Sequence, residues 1–171
     1  YNMQKKKEGN MEKEIKLEND ERIDDLEYKE LKIIQKVNGF CFGIDAVLLS
    51  GFAKDIKNNA KVIDLGTGNA IIPLMLSFSK VKEITGLEIQ KENVELSKKS
   101  VKLNELEEKI KIVQGDIKSV DSLFPKHSFN VVVSNPPYMI FEHGKQNPAD
   151  AKAIARHEVL CNLENVISAA D

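Results

Sequence analysis

Between residues 61 and 134 the chain alternates short apolar runs with helical stretches, and that rhythm limits the possible folds more than any other feature. KVIDL (61–65), EITGLEI (83–89), KIKIVQGD (109–116) and FNVVVSN (129–135) read as buried strands. IIPLMLSF (71–78) and KENVELSKKSVKLNEL (91–106) read as helices, the second with Val94, Ser97 and Val101 toward a sheet. Strands that alternate with helices pair in parallel through right-handed crossovers. The expectation is therefore an α/β domain with a doubly wound, mostly parallel sheet. Four such strands would leave an edge open, and NLENVISAAD is still a helical pattern where the chain stops at Asp171. Further strands are expected beyond that residue.

Upstream, ELKIIQKV (30–37) reads as a short strand, followed by the aromatic pair and glycine of FCFG (40–43). Asp45 then opens AVLLSGFAKDI as a helix N-cap, with Val47, Leu48, Phe52 and Ile56 as the buried face. Residues 1–20 are charged in alternation and poor in apolar side chains, and Met3 and Met11 both look like starts. They read as a flexible arm, in part appended, before a domain over 21–171.

Composition excludes several classes. Hydrophobic residues make up 42% and charged residues 30%, and 25 basic against 27 acidic side chains give a net charge of −2, so the chain is neither fibrous nor disordered. No apolar run approaches the length of a membrane span, and the first residues carry no secretory signal. Cys41 and Cys161 lie far apart, flank apolar residues and read as buried. They suit a reducing cytoplasm and form neither a disulfide framework nor a zinc site. His127, His143 and His157 lack metal-ligand spacing, so no metal is expected. The near-neutral balance leaves nucleic acid open as a partner.

Three candidate ligand features fall at strand ends, where open α/β sheets bind their ligands. In VIDLGTGNA (62–70) a strand turns into a helix through Gly66 and Gly68. The run Gly66-Thr67-Gly68-Asn69-Ala70-Ile71 has only two of the three glycines of a dinucleotide fingerprint, so NAD does not fit. Asp64, at the end of that strand, suits a ligand with a positive amino group. Glu88 ends the second strand, 22 residues after Gly66, and can accept from two vicinal ribose hydroxyls. Asp116 follows Gly115 at the end of the third strand and can accept from an adenine amino group while Ile117 packs on the ring. Taken singly these are a strand–helix turn, a strand-end charge and a turn-forming Gly-Asp pair; their joint occurrence favours one ligand site.

The deciding motif is Asn135-Pro136-Pro137-Tyr138, at the end of the fourth strand. Two prolines stop a central ladder and stiffen the backbone. They hold the Asn135 side chain and the Pro136 carbonyl as fixed acceptors, and Tyr138 offers a flat face for stacking. An amide or exocyclic nitrogen is a poor nucleophile because its lone pair is delocalised. Two acceptors on its hydrogens favour localisation of that pair and stabilise the positive charge that develops on attack.

Together these residues resemble class I S-adenosylmethionine-dependent methyltransferases of the amino-methylating group, whose fold is Rossmann-like. The resemblance implies S-adenosyl-L-methionine as cofactor, with S-adenosyl-L-homocysteine as product. It implies Asp64, Leu65, Gly66, Thr67, Gly68 and Asn69 around the methionine part, Glu88 with Ile89 at the ribose, and Asp116 with Ile117 at the adenine. Asn135, Pro136, Pro137 and Tyr138 would meet the target nitrogen. ERIDDL (21–26), NGFCFGIDAVLLSGFA (38–53) and AIARHEVLCNLENVI (153–167) further resemble the bacterial tRNA(Val) adenine-37 N6-methyltransferase family. That likeness implies tRNA as partner and N6-methylation of an adenine, with Phe42 over the cofactor and Asp45 capping the helix beside it. Core packing and plain capping are the alternatives for those two residues.

The same chemistry on ribosomal RNA, DNA or a protein glutamine is an alternative, because the Asn-Pro-Pro-Tyr motif serves amide nitrogen as well as adenine. An alternative of another class is a non-catalytic cofactor- or RNA-binding fragment. Arg156, His157 and Glu158 read as a salt bridge at a helix start, with a phosphate grip by Arg156 as the other reading, and residues 141–152 read as a loop over the site.

Overall fold

The computed structural model describes residues 15–39, 41–136 and 163–171. Four strands form a parallel sheet in the order β5-β4-β3-β6, from Lys61–Leu65 (β3), Glu83–Glu88 (β4), Ile110–Gln114 (β5) and Val131–Ser134 (β6). All four expected strands are present; β3 keeps its expected bounds and the other three are shorter by a few residues at their ends. The order has a physical logic. The chain steps from β3 out to β4 and β5 by way of α2 (Ile71–Leu76) and α3 (Lys91–Leu103), then returns to add β6 on the other side of β3. Two crossovers in one direction put α2 and α3 on one face of the sheet, because each crossover is right-handed. The return connection carries a single 3-10 turn (Ile117–Ser119) and the short helix α4 (Val120–Leu123), on the opposite face with α5 (Leu163–Ala170).

Alternate residues of each strand feed the two cores. Val62, Ile84, Ile110 and Val133 pack under α2 and α3. Ile63, Leu65 and Leu87 pack toward Ile117, Phe124 and Val166 on the other side. In α3, Val94, Ser97 and Val101 face the sheet as expected, and all three are buried. Pro73 is tolerated in α2 because it lies in the first turn, where its missing N–H has no partner to lose.

A second, antiparallel pair lies outside this sheet: β1 (Glu21–Asp25) with β2 (Lys32–Lys36). Only β2 was expected from the sequence. The hairpin docks on α3 through side chain–backbone bonds. Ile34 N–H donates to Ser100 Oγ at 2.9 Å, and Asn104 pairs with both the N–H and the carbonyl of Lys32. Lys99 of α3 pairs with Glu21 of β1 at 2.7 Å. Ile15 and Leu17, in the stretch expected to be an arm, pack with Ile34, Leu96 and Leu103.

The helix α1 (Ile44–Ala53) corrects two expectations. Its N-cap is Gly43, not Asp45, and Asp45 lies in the first turn. Its buried residues are Ala46 and Ser50, while Leu48 and Phe52 are 66% and 87% exposed. The helix is apolar nearly all round, so periodicity could not choose a face. The small side chains win the inward position because they permit close approach to α2. Cys41, expected to be buried, is exposed, and its Sγ accepts from Arg22 Nη2 at 3.6 Å. Among the described residues no helix is long and apolar enough to cross a membrane, and no cluster of ligating side chains could hold a metal ion.

Candidate functional site

The sheet reverses direction of growth between β3 and β6, and ligands of open α/β sheets bind at such a switch, outside the carboxyl ends of the strands. Leu65 of β3 lies opposite Ser134 of β6, and Ser134 Oγ donates to the Leu65 carbonyl at 2.8 Å. The two segments that follow, Gly66–Asn69 and Asn135–Pro136, therefore leave the sheet side by side.

The glycine loop is shaped by backbone chemistry. Gly66 and Gly68 have φ of 73° and 58°, in the left-handed region where a side chain is strained. The Gly66 and Thr67 N–H groups both donate to the Leu87 carbonyl, at 2.9 and 3.0 Å, so the loop folds back over β4. Gly86, opposite Asp64, leaves room for Thr67: a Cβ there would lie 2.8 Å from the threonine methyl. A Cβ at Gly68 would meet nothing within 4 Å, and one at Gly66 only Ile117 Cδ1, at 3.9 Å. The outer side of the loop is thus open to a close-lying ligand.

Around it, polar side chains converge. Glu88 is buried, with Oε2 accepting from Gly68 N–H at 2.9 Å and Oε1 from Gln90 N–H at 2.8 Å. Ile89, half-buried, accepts at its carbonyl from Gln114 Nε2. Asp116 caps the 3-10 turn by accepting from Lys118 N–H at 2.9 Å, and Ile117 approaches Gly66. Asp64 is 0% exposed, and neither of its oxygens, nor the Thr67 hydroxyl, has a hydrogen-bond partner among the described residues. Burial pushes the Asp64 carboxyl up to about pKa 7; the neighbouring Thr67 hydroxyl offsets part of this, and the Glu88 carboxylate adds to it. A buried carboxylate without a partner is costly, and a cationic group from outside the chain would relieve that cost. The donor set thus fits a ligand with an ammonium group at one end and hydroxyls near Glu88.

Gln35 and Ser97 were not legible in the sequence as members of this site. Gln35 of β2, 3% exposed, accepts at Oε1 from Asn69 Nδ2 at 2.9 Å and from Phe42 N–H at 3.4 Å. Its Nε2 donates to Asp24 at 2.6 Å, and Asp24 pairs with Arg22. The hairpin is thereby wired to the glycine loop. Ser97 of α3 donates to the Gly68 carbonyl at 2.7 Å. Phe42 is half-buried against the main core. Asp45, not used as an N-cap, accepts from Asn135 Nδ2 at 3.0 Å. Pro137 and Tyr138 lie outside the described residues, as do His143, the 141–152 segment, Arg156, His157, Glu158 and Cys161.

Residues 33–157, well over half of the chain and all of the strand-end site, match the sequence profile of the methyltransferase small domain. The chain belongs to that methyltransferase family. The tRNA1(Val) (adenine(37)-N6)-methyltransferase of Porphyromonas gingivalis is 31% identical over 150 residues, 84% of this chain and 58% of that protein. Its counterpart from Tolumonas auensis is 27% identical over 132 residues, 76% of this chain and 53% of that protein. This methyltransferase-family chain spans a little over half the length of those curated relatives. Among solved structures, Methanocaldococcus jannaschii Trm5 in complex with adenosine superposes with a TM-score of 0.56 at 21% identity, over 72% of this chain and 37% of that one. A SAM-dependent methyltransferase from Agrobacterium tumefaciens gives 0.56 at 15% identity, over 71% of this chain and 41% of that one. At those identities the likeness speaks for the fold, a class I methyltransferase sheet, as the sequence led us to expect.

Proposed function

We propose that this chain carries the catalytic site of an S-adenosylmethionine-dependent N6-methyltransferase acting on an adenine of tRNA, adenine-37 of a valine tRNA. The observation that carries the reading is the register of β3 on β6, with Leu65 opposite Ser134, which sets the open glycine loop beside Asn135. The names of the curated relatives support the substrate. Bound S-adenosylmethionine would supply a methyl group on a sulfonium, an electrophile that needs no metal.

The chain's own residues then have distinct work. Asp64 would take the ligand's ammonium group, with Leu65 and the Gly66, Thr67, Gly68 and Asn69 backbone along the methionine part. Glu88, beside Ile89, would accept from the ribose hydroxyls with lone pairs not used on Gly68 and Gln90. Asp116 and Ile117 would hold the adenine by its amino group and its face. Asn135 Oδ1 and the Pro136 carbonyl would accept from the two hydrogens of the target amino group, ordering its lone pair toward the methyl. Pro137 would stiffen that turn and Tyr138 would stack on the target base. No residue need act as a base, because the proton can leave after transfer.

The test is transfer from labelled S-adenosylmethionine to bulk bacterial tRNA lacking its native modifications, followed by nucleoside analysis. Label is expected in N6-methyladenosine, and Asn135→Ala is expected to lower transfer by about 10²–10³-fold with cofactor affinity kept. Label that resists ribonuclease and stays on protein would discard tRNA as substrate. Near-normal turnover by Asn135→Ala would discard the acceptor role.

A further inference from the structure

We propose that Asp45 is a positioning residue that fixes which way the Asn135 amide faces. This rests on the reading of Asn135 as the acceptor for the target nitrogen. Asn135 Nδ2 donates to Asp45 Oδ2 at 3.0 Å, across 90 positions of sequence. A primary amide has an oxygen end and an NH2 end of nearly equal size, so packing alone selects poorly between its two orientations. A carboxylate does select. Its oxygens only accept, so only the NH2 end can face it. With that end held, Oδ1 is turned away from Asp45 and is the atom Asn135 can present to an incoming amino group. A flipped amide would present NH2 to NH2, and the acceptor would be lost. Donation to a charged acceptor also polarises the amide and strengthens Oδ1 as an acceptor.

Gly43 is part of the same device. Its φ of −93° is open to any residue, so backbone freedom is not the reason for a glycine. A Cβ there would lie 2.2 Å from Asp45 Oδ1 and 3.3 Å from Cγ. The missing side chain lets the Asp45 carboxylate fold back over the helix start, and its hydrogen bond goes to Asn135 rather than to the helix's own N–H groups. Gly43 and Asp45 both lie in the string FGIDAVLL, in which Asp45 is not the helix N-cap that the sequence suggested.

The experiment pairs a spectroscopic readout with kinetics. In the 15N-labelled protein the side-chain NH2 resonances of Asn135, assigned by their loss in Asn135→Ala, should be split and slow to exchange. In Asp45→Ala and in Gly43→Ala they should collapse toward free-amide values. Transfer to unmodified bulk tRNA should fall in kcat by about 10- to 100-fold in Asp45→Ala, as for a misoriented group. KM for S-adenosylmethionine and the thermal midpoint should stay near the parent values. Asp45→Asn should lie between, since its own amide can offer either end. Unmoved Asn135 resonances in Asp45→Ala would overturn the pairing, even where no transfer is measurable. Parent kcat in Asp45→Ala, with Asn135→Ala inactive, would overturn the positioning role alone. Weakened S-adenosylhomocysteine binding with kcat kept would make Asp45 a cofactor contact and overturn it too. An active Asn135→Ala would bring down the acceptor reading itself.

Discussion

The two strand ends that meet at the switch point are built in opposite ways. Beyond β3 and β4, Asp64, Thr67, Asn69 and Glu88 are all buried, and Gln35, Ser97 and the Leu87 carbonyl brace the loop between them. Beyond β6, Asn135 is half-buried and its Nδ2 donates to an exposed carboxylate, Asp45, on another element. Buried bonds cost more to break, because a deserted partner has no water to turn to. The first side should therefore be stiff before any ligand arrives, and its residues should couple to stability. The second should be adjustable, and its residues should act on rate. On the function proposed above, that suits a small cofactor held in a fixed pose and a large acceptor that must be admitted and released.

The largest effect that can break this contrast lies at Asp64. Its carboxyl is held up to about pKa 7, against 3.8 for the ordinary group. Between those values the folded chain keeps a proton that the unfolded chain has released. Asp64's contribution to the stability of the ligand-free protein is therefore intact below about pH 4 and is lost as pH rises toward 7, by a few kcal/mol in all, then lost no further. Asp64→Asn should flatten that slope in urea unfolding at a series of pH values. A bound ammonium reverses the balance by favouring the ionised form. S-adenosylhomocysteine should bind at least about tenfold more weakly at pH 5.5 than at pH 7.5. At the higher pH Asp64→Asn should weaken it by about a hundredfold, as for a buried charge deprived of its partner. Calorimetric titration would show both. Affinity that ignores pH in the parent protein would take Asp64 out of the cofactor site.

A smaller effect is expected at Gln35. Gln35→Leu keeps the volume but strands the buried Asn69 amide, while Asp24 keeps its pair with Arg22, at a cost of about 1–3 kcal/mol in stability. Affinity for S-adenosylhomocysteine should fall by about tenfold, the equivalent of 1.4 kcal/mol. The double variant with Asn69→Ala should be less damaged than the sum of the two, because the second change removes a group the first had left unpaired. Strict additivity would mean that the hairpin and the loop are merely neighbours, and the contrast between the two sides would lose its basis.

The sequence made one of these sides more legible than the other. The four sheet strands are short apolar runs between turn signals, and their ends located Asp64, Glu88 and Asp116 without any structure. The bonds those residues make were not legible, since they depend on which strands adjoin. β1 was missed because ERIDD has no apolar alternation; it is a strand only through pairing with β2, which sets Ile23 opposite Ile34, and through Lys99 on Glu21. Gln35 gave no signal, as its partners lie 34 positions away on Asn69 and 11 away on Asp24. Asp45 had the right chemistry for an N-cap and stands two residues late for one. A local rule failed there because a partner 90 positions away takes the carboxylate.

The smallest effect separates packing from backbone strain within the stiff side itself. Ala70, the N-cap of α2, is fully buried with φ of 65° and ψ of 26°. The left-handed region costs a residue with a Cβ about 1–2 kcal/mol, which glycine would not incur. Glycine would lose the burial of one methyl, about 0.8 kcal/mol, and would add about 0.4–1 kcal/mol of unfolded-state entropy. The terms nearly cancel, so Ala70→Gly should shift stability by less than about 1 kcal/mol in urea unfolding. Cofactor affinity should barely move, because the open side of the loop is set by Gly66 and Gly68. A loss above about 2 kcal/mol would mean that the Ala70 methyl, rather than the loop's hydrogen bonds, holds this end of β3 in shape. The stiffness of the cofactor side would then come from packing, and the Gln35 and Asn69 substitutions should be correspondingly mild.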